Sequence, residues 1–183
     1  MKKNGGYSLI EMIIMISIIV ILSGMAFLSI SILSSASAKD RAIDFDTEIA
    51  TLAAKARSMD ANYSYGGKTY QQYCLVLYKT TSGEQFFSAP GYYDAEDDEY
   101  VVDCAEKKKF SRKIGLTYDG TYDDTKTITE INDDGTGGDV ISLIRFNRRG
   151  ECVEGYGSYG FTTKKNNEVA YTKIRQNGSH ETR

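Results

Sequence analysis

The chain has 183 residues, of which 22 are basic and 25 acidic, and its formal net charge is −3. Nothing in this overall balance calls for nucleic acid, because nucleic-acid-binding domains carry a strongly basic surface. Beyond residue 60 roughly 120 residues remain, which is enough for one domain with its own core.

Residues 1–33 combine a short basic leader with a long apolar run. Lys2 and Lys3 precede Gly5-Gly6, and no residue from Met12 to Leu33 is charged. A helix of this length, at ~1.5 Å per residue, spans roughly 33 Å, enough to cross a bilayer core. The run is too long for a secretory signal peptide, whose apolar core has only ~7–15 residues. The run therefore predicts a membrane span that has Glu11 at its edge.

The junction between leader and apolar run carries a short motif. The sequence Gly6-Tyr7-Ser8-Leu9-Ile10-Glu11, followed by the uncharged run, resembles the prepilin signature of type IV pilins and type II secretion pseudopilins. The resemblance implies that a prepilin peptidase cuts between Gly6 and Tyr7 and methylates the new amine of Tyr7, a position where the family usually has Phe. It also implies that Glu11 acts in assembly by pairing with the methylated amine of a neighbouring subunit.

The same resemblance implies partners and a location. The partners would be other pilin or pseudopilin subunits, the prepilin peptidase, a membrane assembly platform and, before assembly, the lipid bilayer. The precursor would cross the inner (cytoplasmic) membrane once, with its N-terminus cytoplasmic and its head outside, and would then enter a surface pilus or pseudopilus. The distribution of basic residues alone leaves the orientation open, because Lys39 and Arg41 follow the span.

An amphipathic pattern follows the apolar run. Residues 36–59 contain no Gly or Pro, and apolar residues recur at helical spacing, for example at Phe45, Ile49 and Leu52. We expect one helix from about Ser8 to about Asp60. It would comprise a membrane and assembly half (7–35) and an amphipathic half (36–60), after the leader (1–6). A mobile linker at 29–37, which is rich in Ser, is the alternative.

Residues 61–183 are predicted to form the head. Asn62–Lys68 reads as an exit loop, and Ser179–Arg183 as a frayed tail. Turn signals separate eight candidate strands: Tyr73–Lys79, Gln85–Ser88, Tyr100–Cys104, Lys113–Tyr118, Thr127–Ile131, Val140–Phe146, Ser158–Thr163 and Val169–Arg175. We therefore expect an α+β, pilin-like fold with the helix packed on a small antiparallel β domain.

A second resemblance lies in the C-terminal third. Ile144–Gly150, Gly160-Phe161 and the closing strand Val169–Arg175 resemble the H-type minor pseudopilins and related minor pilins. This likeness implies a minor subunit, with two small β-sheets over the helix.

The three cysteines are Cys74, Cys104 and Cys152. An odd number outside the cytoplasm suggests one disulfide and one thiol. Three pairings are open. We favour Cys104–Cys152, because both residues lie at apparent strand ends, and three reduced cysteines are the alternative.

Charged clusters are interpreted as solvated surface. The acidic runs at 94–99 and 133–139 contain oxygen ligands for calcium, but neither has the spacing of an EF-hand loop. Basic residues at 107–113, 145–149 and 164–165 are balanced by acids, so nucleic acid is not an expected partner. His180 is the only histidine, and we find no phosphate loop and no CxxC pair. We therefore expect no enzyme, no metal site and no cofactor.

Three hypotheses for function follow from the sequence. The first is a structural subunit, minor rather than major, of a pilus or pseudopilus. The second is a tip subunit that binds DNA, a surface or a secreted substrate through its β head. The third is an ordinary anchored β domain, which would not be cleaved after Gly6.

Overall fold

The computed structural model describes the backbone of residues 8–58, 63–65, 67–70, 72–80, 85–94, 99–122, 128–129, 138–163 and 167–183. Side chains are described throughout these ranges except at 26–31, 63–65, 68–70, 72 and 128–129.

The chain begins with one long helix, α1, which runs without interruption from Leu9 to Ser58 and contains 50 residues. The Ser-rich stretch 29–37 is part of it, so the alternative of a linker there is wrong. Serines inside the helix donate to the carbonyl oxygen four residues earlier, as Ser17 does to Ile13 at 2.8 Å and Ser37 does to Leu33 at 2.9 Å. These bonds satisfy the hydroxyl groups within the helix itself.

Thirteen strands are assigned within the described residues. They are β1 (Tyr63–Tyr65), β2 (Lys68–Tyr70), β3 (Gln72–Thr80), β4 (Phe86–Asp94), β5 (Glu99–Val102), β6 (Lys108–Lys109), β7 (Ile114–Gly120), β8 (Ile128–Thr129), β9 (Gly138–Phe146), β10 (Cys152–Glu154), β11 (Gly157–Thr163), β12 (Glu168–Ile174) and β13 (His180–Thr182). A short 3₁₀ helix, Cys104–Glu106, follows β5.

The described strands form three sheets. The larger one has the order β10-β9-β3-β4-β5-β8, with β6 also paired to β4, and the second has the order β13-β12-β11-β7. Strands β1 and β2 form a separate hairpin. All pairs are antiparallel except β5 with β8. The predicted α+β architecture, a long helix on antiparallel sheets, is confirmed.

The main core lies where the amphipathic half of α1 meets both large sheets. Phe45, Ile49 and Leu52 are almost completely buried there. The Phe45 ring lies 5.2 Å from that of Tyr159 and 5.6 Å from that of Phe161, both on β11. Full burial of each such side chain is worth about 1.5–3 kcal/mol. This face of α1 therefore holds the head on the helix.

A second apolar cluster covers the opposite face of the larger sheet. Along β3, Leu75 and Leu77 face the main core, whereas Cys74, Val76 and Tyr78 face the second cluster. Successive side chains of a strand point to opposite faces. An apolar run such as β3 therefore indicates a strand that is buried on both sides.

Several boundaries differ from the sequence predictions. The predicted exit loop contains part of the β1–β2 hairpin, and the predicted frayed tail contains β13. Strand β4 continues past Pro90 to Asp94 rather than ending at Ser88, and the carbonyl of Pro90 accepts from the amide of Asp103 at 2.8 Å.

Candidate processing and assembly site

The predicted cleavage residues Gly6 and Tyr7 lie outside the described residues. The first residue that the structure describes is Ser8, which directly precedes α1.

Ser8 and Glu11 form a reciprocal capping box at the start of α1. The amide of Ser8 donates to Glu11 Oε2 at 2.9 Å, and the amide of Glu11 donates to Ser8 Oγ at 3.3 Å. The pair satisfies two of the amides that a helix N-terminus leaves without a partner. It also holds the Glu11 carboxylate at the amide of Ser8, the residue before α1.

Where its side chains are described, the first half of α1 exposes large apolar residues on all its faces. The exposed members are Leu9, Ile10, Met12, Ile13, Ile14, Met15, Ile16, Ile18, Ile19, Val20, Ile21, Leu22, Met25, Ile32 and Leu33. We call this segment, residues 9–33, the apolar stem. Exposed apolar surface of this extent marks a protein or membrane contact.

The predicted membrane span, 7–35, includes residues outside those whose side chains are described. Within the described part of the chain, we find no helix that is both long enough and apolar enough to cross a membrane.

A buried ion pair joins the amphipathic half of α1 to the larger sheet. Arg41 Nη1 lies 2.8 Å from Glu48 Oε1, and both side chains are less than one tenth exposed. Arg41 Nη2 also donates to Ser88 Oγ on β4 at 2.8 Å, and the guanidinium lies 4.1 Å from the centroid of the Phe110 ring. Lys108 adds a second cation 3.3 Å from Glu48 Oε1. The position of the helix on the head is therefore fixed by directional contacts as well as by apolar packing.

The C-terminal strand β13 is attached to the same helix. Thr182 Oγ1 donates to Asp46 Oδ1 at 2.9 Å, and His180 Nε2 lies 3.8 Å from the same oxygen. The hydroxyl groups of Thr182 and Thr172 are 2.9 Å apart. The strand thus closes the second sheet against α1.

A groove of about 180 Å³ runs beside α1 over the larger sheet. It is lined by Thr47, Glu48, Thr51, Leu52, Lys55, Tyr73, Leu75, Ser88, Pro90, Glu106 and Lys108. Its Glu48 carboxylate is already bound by Arg41. The lining of the groove therefore combines apolar side chains such as Leu52 and Leu75 with charged side chains of both signs.

The cysteines are present as thiols, and no disulfide joins them. Cys152 lies in the main core, whereas Cys104 packs against the second cluster on the other side of the larger sheet. The expected Cys104–Cys152 pairing is therefore wrong. Burial raises the pKa of the Cys152 thiol to about 12. At neutral pH this thiol is protonated and unreactive.

Within the described residues, no three His, Cys, Asp or Glu side chains are grouped to hold a metal ion. Much of the two acidic runs, including residues 95–98 and 133–137, lies outside the described residues.

Comparison with protein families gives one match. Residues 1–27 match the prokaryotic N-terminal methylation motif. The chain therefore carries a type IV pilin or pseudopilin signature, which includes the predicted cleavage and methylation positions Gly6 and Tyr7 and the capping residue Glu11. Searches of curated proteins and of solved structures found no match.

Proposed function

We propose that the chain is a structural subunit of a type IV pilus or pseudopilus. The precursor is anchored in the cytoplasmic membrane by its apolar stem, cleaved after Gly6, methylated on Tyr7 and assembled through the stem. One observation carries the proposal: the methylation motif at residues 1–27 runs directly into a single 50-residue helix whose first half exposes apolar side chains and whose second half carries the head.

The stem can serve in turn as an anchor and as the contact between subunits. Its side chains are apolar on every face, so they are compatible with lipid before assembly and with other stems afterwards. The exchange is energetically feasible because lipid tails and packed stems are both apolar environments. Moving the stem from the membrane into a contact between subunits costs free energy only at Glu11, because a carboxylate in an apolar contact needs a partner.

The methylated amine of Tyr7 on a neighbouring subunit is the proposed partner of Glu11. The capping box places the Glu11 carboxylate at the first turn of α1, where the positive end of the helix dipole favours an anion. Because only one axial stagger brings amine and carboxylate together, the pair would set the register between subunits.

A finer proposal is that the chain is an H-type minor subunit. The two large sheets that pack on α1 support this assignment, together with the sequence likeness of Ile144–Gly150 and Val169–Arg175. Quantification of the chain relative to other subunits in sheared fibres tests it. A chain that makes up most of the fibre would exclude a minor role.

Mass analysis of the N-terminus of the mature protein tests the proposed function. We expect the mature chain to begin with Tyr7 and to carry one methyl group on its α-amine. A substitution of Gly6 by a bulky residue, Gly6→Leu, should leave the precursor uncleaved, while Gly5→Leu is the matched control. A mature wild-type chain that retains Met1 would overturn the proposal.

A further inference from the structure

We propose that Asn177 is a site of spontaneous deamidation, and that the isoaspartate formed there releases strand β13 from α1. We call residues 175–179, which join β12 to β13 and read Arg-Gln-Asn-Gly-Ser, the C-terminal turn. The proposal concerns the chain itself and does not depend on its function as a fibre subunit. The dipeptide Asn-Gly occurs twice in the sequence, and its other copy, Asn4-Gly5, lies outside the described residues.

The reaction at Asn177 needs only water as a co-reactant. The backbone nitrogen of Gly178 attacks Cγ of Asn177 and loses its proton, the bond from Cγ to the side-chain nitrogen breaks, and ammonia leaves with that proton. Water then opens the five-membered succinimide at one of its two carbonyl carbons, which gives aspartate or isoaspartate. Glycine has no Cβ to obstruct the attack, and its backbone adopts the conformations that ring closure requires. One water is consumed and one ammonia is released.

The side chain of Asn177 is exposed, and its carbonyl group is activated by two hydrogen bonds. Asn177 Oδ1 accepts from the amide of Ser179 at 3.0 Å and from Ser179 Oγ at 2.8 Å. Negative charge develops on this oxygen when Cγ is attacked, and the two donors stabilise that charge in the same way as an oxyanion hole. The contacts of the C-terminal turn therefore favour attack at the side chain of Asn177.

One contact of the folded turn opposes the reaction. The amide of Gly178 donates to the carbonyl oxygen of Arg175 at 2.9 Å, so the nitrogen has to leave this bond before it reaches Cγ of Asn177. Four of the five residues of the C-terminal turn are exposed. Local opening of such an exposed segment costs much less free energy than global unfolding. We therefore expect deamidation in the folded protein, at a rate that depends on how often the turn opens.

Isoaspartate does not fit the anchored backbone of the turn. It continues the chain through its side-chain carbonyl group, which adds one carbon, or about 1.5 Å, to the backbone. On one side of position 177, the carbonyl oxygen of Gln176 accepts from the amide of Cys152 at 3.0 Å. On the other side, Gly178 has φ +81° and lies so close to the carbonyl oxygen of Gly150 that a Cβ would collide with it. A longer link between these two anchors has to break one of them.

The register of β13 depends on this turn. In a hairpin, the length of the loop determines which residues of the two strands face each other. Strand β13 pairs with β12 over only three residue pairs, and its Thr182 donates to Asp46 on α1. A change of register moves Thr182 away from Asp46. Isoaspartate at position 177 therefore releases the C-terminal strand from the helix.

Peptide mapping of the full-length chain in detergent tests the modification site. After incubation in mildly alkaline buffer, where the amide nitrogen loses its proton more readily, we expect aspartate and isoaspartate at position 177. The internal control is Asn147, whose side-chain oxygen also accepts from two amides, at 2.9 and 3.0 Å, but which is followed by Arg148. Conversion at Asn177 should exceed that at Asn147 at least about tenfold. Comparable conversion at the two residues would overturn the modification site.

Two substitutions of Ser179 test the activation of the side chain. Ser179→Ala removes the hydroxyl donor and should lower the rate of conversion about fivefold, the effect of one lost hydrogen bond. Ser179→Thr keeps a hydroxyl at this position and should convert at the rate of the wild type. A rate in Ser179→Ala that equals or exceeds the wild-type rate would overturn the activating role of Ser179.

Hydrogen exchange of the aged chain tests the release of β13. In the fraction that contains isoaspartate, the amides of β13 should exchange at least about tenfold faster than in the fresh chain. Asn177→Asp adds the same carboxylate without lengthening the backbone, and Asn177→Gln, aged in parallel, does not form the five-membered ring. Both variants should exchange like the fresh wild type. Equally fast exchange in fresh Asn177→Asp, or unchanged exchange in the isoaspartate fraction, would overturn the release of the strand.

Discussion

Arg41 and Glu48 form an ion pair that is buried between α1 and the head, with Arg41 Nη1 2.8 Å from Glu48 Oε1. The two residues lie two helical turns apart on α1, yet the same guanidinium also donates to Ser88 on β4. The pair therefore connects the helix to the sheet, rather than stabilising the helix alone. Because α1 runs without interruption from the stem to this contact, the pair helps to hold the head on the helix.

Removal of one partner of this pair should destabilise the head strongly. Arg41→Ala leaves the buried Glu48 carboxylate with the exposed Lys108 as its remaining ion-pair partner among the described residues, and it removes the contact with Phe110. We therefore expect a loss of about 3 kcal/mol or more in the free energy of unfolding. Denaturant unfolding of the full-length chain in detergent measures the loss.

The double variant Arg41→Met with Glu48→Leu serves as a control for this prediction. It replaces the charges with apolar side chains of similar size, so its loss should be smaller than that of Arg41→Ala. Equal losses in the two variants would show that packing, and not the ion pair, dominates at this position.

The hydrogen bond from Thr182 to Asp46 should hold β13 against α1. Thr182→Val keeps the shape of the side chain but removes the donor, at a cost of about 1 kcal/mol. We expect faster amide exchange in β12 and β13, and little change in β3 and β4. Lys113→Gln, at an exposed position just before β7, is the matched control, and should leave exchange as in the wild type. Uniformly faster exchange over the whole head would contradict a local role.

The pairing of Arg175 with Glu181 should add a small pH dependence to the same strand. The hydrogen bond from Arg175 lowers the pKa of the Glu181 carboxyl below its ordinary value of 4.5. A lowered pKa means that the contribution to stability is present above the unfolded value and is lost as the pH falls through the folded value. The Tm difference between wild type and Glu181→Gln should therefore be full above the ordinary pKa of 4.5 and should shrink as the pH falls below it. A Tm difference that does not shrink with falling pH would exclude the ion pair as its source.

The parts of the fold that could be predicted from sequence are those with local signals. The helix is predictable because residues 36–58 combine helical spacing of apolar residues with an absence of Gly and Pro. Strand β13 is not, because His180–Thr182 has no apolar alternation. It forms by pairing with β12 and through Asp46, which is 136 positions away.

The candidate sites also divide into those with a local sequence signal and those that depend on contacts between distant residues. The motif at residues 1–27 is contiguous, so the sequence alone is enough to propose Gly6, Tyr7 and Glu11 as processing and assembly residues. The predicted Cys104–Cys152 disulfide was wrong because the two residues lie on opposite sides of one sheet. Their positions at apparent strand ends do not reveal on which side of the sheet each of them lies.

The buried thiol of Cys152 should make the head sensitive to alkali. Its pKa is raised from 9.0 to about 12 in the folded state, chiefly by burial, so the unfolded chain ionises first. The stabilising contribution is complete below pH 9 and is lost as the pH rises toward 12, by at most about 1.4 kcal/mol per pH unit. Unfolding free energies at several pH values measure it, and Cys152→Ala should give a shallower decline above pH 9. Identical declines would show that the thiol is not responsible.

The role proposed for Glu11 can be separated from its role in the capping box. Glu11→Ala should be cleaved normally but enter fibres at least about tenfold less, because the amine of the neighbouring Tyr7 loses its counter-ion in an apolar contact. Glu11→Gln keeps an oxygen that can accept from the Ser8 amide, but it carries no charge. If the charge pair sets the register, the Gln variant assembles as poorly as the Ala variant. If Gln assembles like the wild type, the side chain at position 11 matters as a helix cap and not through its charge, and the pairing with Tyr7 is wrong.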